Sequence, residues 1–253
     1  MSSPGLQRRQ EARPVHKETS RLRARRRSLI AWVGGLVIAA LLGAIVVAVV
    51  QSAGGDSRPE ASGELVVPDN VAADGSIVMG SADAPVSVAV YFDYLCPFCG
   101  RFEDANSDEL ARLADQGTAR VELRALSFLD AQSRGAQYST RAANALATVA
   151  DAAPEQVWDF HQGLFAQQPE EGTTGLSDDQ IAEIASKAGV PAAVASSFQD
   201  RTFEPWVADV TKKAFASGLS GTPTVLVDGV VFTGDLYTSG PLTKAVEAAA
   251  ASE

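Results

Sequence analysis

The most regular hydrophobic pattern in the chain is a charge-free run at residues 85–92. Every second residue from Val86 to Phe92 is apolar, and the residues between them are uncharged as well. A strand that is apolar on both faces is typical of the centre of a sheet covered on both sides. The pattern then changes to helical spacing over residues 101–116, which Gly117 ends, and strand character resumes over residues 119–128.

Helical spacing dominates the next long stretch, residues 131–218. Within it, Ser177 and Gln180 form a capping-box pattern at the start of a helix. Near the end of the chain, residues 224–227 and 230–232 flank Asp228-Gly229, which predicts a tight hairpin. Pro241 opens a last helix over residues 242–251, and residues 76–80 suit a short edge strand. The order predicts an α/β sheet layered with helices and interrupted by a helical insertion.

An uncharged apolar run at residues 29–50 precedes this domain. Its 22 residues would span about 33 Å as a helix, against about 30 Å for a bilayer core. Residues 1–28 carry nine Arg and Lys against two Glu, so the positive-inside rule places them in the cytoplasm. We expect a cytoplasmic tail at 1–28, a transmembrane signal anchor at 29–50 and a flexible spacer at 51–75. A cleaved signal peptide is the alternative, and Arg26-Arg27 also resembles a twin-arginine export signal.

The remainder of the chain, residues 76–253, is then expected outside the cytoplasm. From residue 51 onward there are 12 basic and 29 acidic residues. A domain with such an acidic balance repels nucleic acid, so nucleic-acid binding is excluded as a function of this domain; the basic tail at 1–28 could in principle touch RNA or lipid headgroups.

The chain has two cysteines, Cys96 and Cys99, both on the expected outer side of the membrane. A bridge that closes so short a loop contributes little stability, so an inert structural disulfide is disfavoured. A metal site is also disfavoured, because Zn²⁺ takes four ligands and His161 is the one histidine after residue 50. His161, Trp158 and Trp206 are expected to have structural roles in the helical block.

The position of the pair suggests redox chemistry, since it lies where a buried strand gives way to a helix. Pro97 suits the first helical position, which makes Cys96 the N-cap with its sulfur facing the N–H groups of Phe98 and Cys99. These donors and the helix dipole favour the thiolate of Cys96. Cys99 lies one turn later on the same face, within reach of a disulfide. The spacing predicts one exposed, acidic sulfur and one sheltered sulfur.

A second motif, Gly221-Thr222-Pro223-Thr224, leads into the predicted hairpin. A proline at the start of a strand, after an extended residue, is a candidate for a cis peptide bond. Packed beside the cysteines, this segment would leave the Thr222 backbone free to pair with an extended substrate chain.

Together, the segment from Phe92 to Cys99 and the Thr222-Pro223 motif after a helical block resemble the DsbA-like branch of the thioredoxin superfamily, over about residues 70–250. The resemblance implies a thioredoxin-like fold with a helical insertion, Cys96 as attacking sulfur, Cys99 as resolving sulfur and Pro223 as the cis-proline. Two positions depart from the family. Phe98 stands where DsbA has a histidine, and Val90 stands where the family has a buried acid. A proton shuttle would then need another residue, for which Asp93 is the candidate, although an acid at such a position is more often a solvated one near the helix.

The sequence therefore predicts a protein thiol–disulfide oxidoreductase that donates a disulfide from Cys96 and Cys99 to exported client proteins with free thiols. It is predicted to need no cofactor and no metal, and the resemblance implies a membrane quinone-linked partner that reoxidises it. A disulfide isomerase or reductase of the same fold is the first alternative. A non-catalytic metal-binding or docking module is the second.

Overall fold

The computed structural model describes residues 63–252, so the predictions for residues 1–28 and 29–50 and for most of the spacer lie outside the described part. Within residues 63–252, no helix is both long enough and apolar enough to cross a bilayer.

A mixed five-stranded sheet forms the centre of the fold, in the order β1-β3-β2-β4-β5. The strands are listed here in chain order: β1 is Ile77–Met79, β2 is Val86–Phe92, β3 is Ala119–Ala125, β4 is Thr224–Val227 and β5 is Val230–Val231. β2 runs parallel to β3 and antiparallel to β4, and β1 pairs antiparallel with β3. β2 therefore has the central position that its two apolar faces predict.

Seven helices accompany the sheet in the described part of the chain. They are α1 (Pro97–Asp115), α2 (Tyr138–Ala152), α3 (Val157–Ala166), α4 (Asp178–Lys187), α5 (Ala192–Ser196), α6 (Glu204–Ala216) and α7 (Pro241–Ala250). Short 3-10 turns cover Asp130–Ser133, Pro154–Gln156 and Ser197–Asp200. The predicted α/β thioredoxin-like class is confirmed for residues 63–252. The helices between β3 and β4 occupy the stretch that the sequence assigns to an insertion.

Local sequence signals explain where α1 begins and ends. Pro97 occupies the first turn, where its missing N–H costs no hydrogen bond. At the other end Gly117 has a φ of +69°, a left-handed conformation that glycine adopts without a steric penalty. The N–H of Gly117 bonds the carbonyl of Ala114, and that of Thr118 bonds the carbonyl of Leu113. These two bonds form a Schellman motif, which satisfies carbonyls that the helix leaves open.

The β4–β5 hairpin is built on Asp228-Gly229, with φ values of +47° and +77°. Positive φ at both positions is the signature of the type I′ turn, which matches the twist of paired strands. The Asp228 carboxylate also accepts a hydrogen bond from the backbone N–H of Ser87 on β2, at 2.8 Å. The hairpin is therefore tied to the central strand at its tip.

β3 is three residues shorter than the sequence predicts, because the neighbouring strand β2 ends at Phe92 and offers no further partner. The last pair of the β2–β3 ladder is Phe92 with Ala125. The N–H of Leu126 still reaches the Phe92 carbonyl, but that of Ser127 bonds the Thr211 hydroxyl on α6. The backbone thus leaves the sheet where β2 leaves it.

The helices cover the sheet and also pack on one another. α1 and α7 contact each other, and each contacts the sheet, while α6 packs against β3 and α2. α2 is the most buried helix, with apolar side chains on nearly every side, and it contacts α3, α4 and α5. The Ser177–Gln180 capping box is present at the start of α4.

Candidate redox site

The cysteine pair lies at the junction of β2 and α1. Cys96 is the N-cap of α1, with extended backbone, and Cys99 lies in the first turn. Both thiols are free, so the geometry is that of the dithiol form. Cys96 is 5 % exposed and Cys99 is fully buried. The Cys96 sulfur is thus less exposed than the sequence predicts, because the Thr222 segment lies against it. Cys96 is nevertheless more accessible than Cys99.

The environment of Cys96 favours its thiolate. Its pKa is lowered from 9.0 to about 6, first by the neighbouring Cys99 thiol, and further by the nearby Thr222 side chain and the N–H groups of Cys99 and Phe98, which can donate to the thiolate once it forms. In the dithiol form the sulfur makes no capping bond to the helix, contrary to the expectation from sequence. Its protonated thiol instead donates to the Thr222 carbonyl, at 3.4 Å.

Cys99 has the opposite character. Burial raises the pKa of its thiol well above the ordinary value, and the adjacent Cys96 raises it further. At neutral pH the pair therefore carries one thiolate and one thiol, with the negative charge on Cys96. This distribution suits an attack through Cys96 and closure by Cys99.

The Thr222–Pro223 peptide bond is cis, and it lies immediately before β4. The segment brings the Thr222 carbonyl to the Cys96 sulfur. The Thr222 hydroxyl is buried and has no hydrogen-bond partner within residues 63–252 in the dithiol form. A buried hydroxyl without a partner is costly, so this donor is available to a thiolate or to a bound chain.

Asp93 corrects one expectation from the sequence, since the solvated alternative is wrong. Its carboxyl is fully buried behind the redox motif. It accepts hydrogen bonds from the N–H of Leu95 (2.8 Å), the hydroxyl of Ser139 (2.7 Å) and the N–H of Leu129 (2.8 Å). Burial nevertheless raises its pKa to about 7, because the three hydrogen bonds compensate only part of the lost hydration. Asp93 is therefore a buried acid that titrates near neutrality, close to the cysteines in sequence.

Pro97 and Phe98, the two residues between the cysteines, face outward. The Phe98 side chain is 52 % exposed, and its ring lies 6.2 Å from that of Tyr237, in the loop before α7. Arg101, one turn further along α1, lies over both rings. Arg101 and Tyr237 are not predictable as site residues from the sequence, because nothing local links a loop near the C-terminus to the motif.

Gln168, just after α3, is another residue that the sequence analysis missed. Its side-chain amide donates to the carbonyl of Tyr94 at 3.1 Å and to the carbonyl of Cys96 at 2.8 Å. Gly100 makes this approach possible, because a Cβ at that position would collide with the Gln168 side chain. A glycine inside an otherwise regular helix was the one available signal that something packs closely there.

A buried polar cluster lies beneath the motif. His161 on α3 bonds the Tyr94 hydroxyl through Nδ1 at 2.9 Å, and its Nε2 lies 3.2 Å from Glu103 on α1. His161 is fully buried, Trp206 is also buried, and Trp158 is partly buried with its ring against His161. These contacts connect the helical insertion to the loop before the cysteines. Within residues 63–252 no three His, Cys, Asp or Glu side chains are grouped to hold a metal ion.

Comparisons with known proteins agree with this arrangement. The chain is 28% identical over 159 residues to disulfide bond formation protein D of Bacillus subtilis, covering 62% of this chain and 69% of that protein. It is also 32% identical over 192 residues to the Na(+)/H(+) antiporter NhaA 3 of Salinispora tropica, covering 75% of this chain. The chain spans only 26% of that antiporter, so the match concerns one part of a larger protein.

Solved structures with the same fold include two thiol–disulfide exchange proteins. The thiol-disulfide oxidoreductase MdbA of Actinomyces oris superposes with a TM-score of 0.62 at 26% identity, covering 72% of this chain and 89% of that one. DsbA of Mycobacterium tuberculosis superposes with a TM-score of 0.56 at 26% identity, covering 69% and 98%. The predicted enzyme class, a protein disulfide oxidoreductase, is confirmed by these relatives. The family model for thioredoxin matches residues 72–248, and the chain therefore belongs to the thioredoxin family.

Proposed function

We propose that this protein is an extracytoplasmic oxidase that donates the Cys96–Cys99 disulfide to newly exported proteins. One observation carries the proposal: the pKa of Cys96 is lowered to about 6 while that of Cys99 is raised. A thiolate that is stable in the reduced protein favours reduction of the protein's disulfide, and hence oxidation of the client.

The exchange proceeds in two steps. A client thiolate attacks the Cys96 sulfur of the oxidised pair, the Cys96–Cys99 bond breaks, and the departing Cys99 takes a proton because its pKa is high. A second client thiolate then attacks the client sulfur of this mixed disulfide, and Cys96 leaves as a stable thiolate. The client has lost two electrons and gained a disulfide, and the enzyme has gained those electrons as a dithiol.

The Thr222 segment is proposed to hold the client during these steps. Its carbonyl lies at the Cys96 sulfur, and its hydroxyl is buried without a partner in the described part of the chain. A client backbone laid beside this segment would bring its own sulfur to Cys96. Phe98, two residues after the nucleophile, contributes an exposed apolar surface.

The proposed location rests on the basic tail and the apolar run at residues 29–50. With the N-terminus in the cytoplasm, the redox domain meets clients as they emerge from the membrane. The reduced enzyme must then pass two electrons onward, and we propose a membrane quinone-linked partner for this step, on the resemblance to the DsbA-like branch. Protease added to intact spheroplasts should digest residues 76–253 and spare the N-terminal tail; a protected redox domain would exclude the proposed location.

The direction of electron flow is tested by the redox state of the pair in living cells. Cells are quenched in acid, free thiols are alkylated with a mass tag, and Cys96→Ser provides the reference for a protein that cannot form the bridge. A mostly oxidised pair supports the oxidase. A mostly reduced pair would refute it and favour the isomerase or reductase.

A further inference from the structure

Arg101 occupies an unusual position beside the redox motif. The rings of Phe98 and Tyr237 meet at 51° and form a notch. The Arg101 guanidinium lies in this notch, 4.6 Å from the centre of the Phe98 ring and 4.5 Å from that of Tyr237. Both rings attract the cation through their π faces and restrict where it can move. We call these three residues the arginine notch.

The cation of the notch has no carboxylate partner in the described part of the chain. Every ion pair found there involves other residues. Asp104 follows one turn later on α1 but lies beyond salt-bridge distance. Asp235, two residues before Tyr237, uses its carboxylate inside its own loop, accepting from the N–H of Tyr237 and the hydroxyl of Thr238.

The charge of this cation is opposite to that of most ionisable residues in the domain, because the chain from residue 51 onward has 29 acidic and 12 basic residues. Such a net negative charge disfavours the approach of acidic client segments. Arg101 places a positive charge on the exposed side of α1, five residues after Cys96. Planar guanidinium N–H groups bind a carboxylate in a fork geometry, and stacking on rings leaves the edge of the group open for such a contact.

We propose that Arg101 is a specificity-determining residue that binds an Asp or Glu side chain adjacent to the reactive cysteine of the client. The inference rests on the proposed function, since it names the class of client sequence that the oxidase prefers. The aromatic rings hold the cation in place, and the client carboxylate completes an ion pair that the free enzyme lacks. The chemistry of the exchange itself is unchanged.

The test measures oxidation of three synthetic dithiol peptides that differ only in the residue before the first cysteine, which is Glu, Gln or Lys. Oxidised full-length protein is mixed with each peptide at low salt. The reaction is quenched in acid, and the second-order rate constant is obtained by alkylation and mass spectrometry. Glu also alters the intrinsic reactivity of the peptide thiol. The rate constant for the Glu peptide is therefore divided by that for the Gln peptide, first for the wild type and then for Arg101→Gln. The quotient of these two ratios is the double ratio, in which the effect of Glu on the peptide thiol cancels.

We expect this double ratio to be about 1.5 to 5, the range that exposed ion pairs give, with the Lys peptide slowest. Added salt should reduce it, because mobile ions screen an exposed pair. Arg101→Lys should retain part of the preference, since the charge remains. Lys212→Gln is the matched control: Lys212 is an exposed cation without an ion pair on α6, and its loss should leave the preference for Glu intact.

A double ratio of 1, or an equal fall for Lys212→Gln, would overturn the assignment of Arg101. If the wild type still oxidises the Gln peptide in that case, the proposed function stands and only the proposed preference for acidic client segments is wrong. If it oxidises none of the peptides, the proposed function fails as well.

Discussion

The buried carboxyl of Asp93 should make the stability of the protein fall as the pH rises through the acidic range. Its pKa is about 7 in the folded protein against an ordinary value of 3.8, chiefly because of burial. Between these values the folded protein holds a proton that the unfolded chain has released, so the free energy of unfolding decreases with pH. Three pKa units at about 1.4 kcal/mol each give a loss of roughly 4 kcal/mol that is complete above pH 7.

Asp93→Asn removes this titration. The amide cannot accept all three hydrogen bonds that the carboxyl accepts, because its nitrogen faces one of the donors, so the variant should lose about 1–3 kcal/mol below pH 4. The diagnostic quantity is therefore the slope of the free energy of unfolding against pH. It should be shallower in Asp93→Asn than in the wild type between pH 4 and 7.

The measurement is urea unfolding of the reduced protein, followed by fluorescence, at half-unit steps from pH 4 to 8. Asp104→Asn is the control, because Asp104 is an exposed carboxylate on α1. Its slope should match that of the wild type. If Asp93→Asn and the wild type have parallel curves, Asp93 titrates at its ordinary value, and the account of its buried environment is wrong.

Three further predictions concern the motif and its supports. Cys99→Ser should accumulate mixed disulfides with clients, visible as bands lost on reduction, and Cys96→Ser should form none; equal trapping by both, or trapping by Cys96→Ser alone, would contradict the assigned roles. Thr222→Val should raise the pKa of Cys96 by about one unit, seen in thiolate absorbance, and lower the reduction potential measured at a pH well above both pKa values by about 30 mV, whereas Thr222→Ser should not. Gln168→Ala should lower the free energy of unfolding by about 1–3 kcal/mol in urea, for two lost hydrogen bonds; no change would show that these bonds contribute nothing.

The parts of the fold that the sequence predicted well are those with local signals. The alternation over β2, the Asp228-Gly229 turn and the end of α1 at Gly117 each depend on residues close together in the chain. Their bounds in the structure differ from the predicted ones by few residues. The cysteine pair belongs to the same class, since its position between a strand and a helix is visible in the sequence.

The environment of Asp93 could not be predicted in this way. One of its hydrogen-bond donors, Leu95, lies two residues later in the chain, but Leu129 and Ser139 approach from beyond β3. An acid directly after a strand is more often solvated, and only the tertiary fold decides otherwise. Gln168 could not be predicted either, because the carbonyl groups to which it donates lie more than 70 residues earlier in the chain.

These contacts change the role that can be assigned to the helical insertion. Ser139 at the start of α2 bonds the Asp93 carboxyl, and Gln168 after α3 bonds the carbonyls of Tyr94 and Cys96. The insertion therefore holds the loop before α1 from one side, while the Thr222 segment contacts the Cys96 sulfur from another. A nucleophile positioned from both sides keeps its geometry when a client binds, which limits the entropy lost in the exchange. The insertion is therefore part of the redox site, because its removal from this chain would take away the Ser139 and Gln168 contacts to the loop before α1.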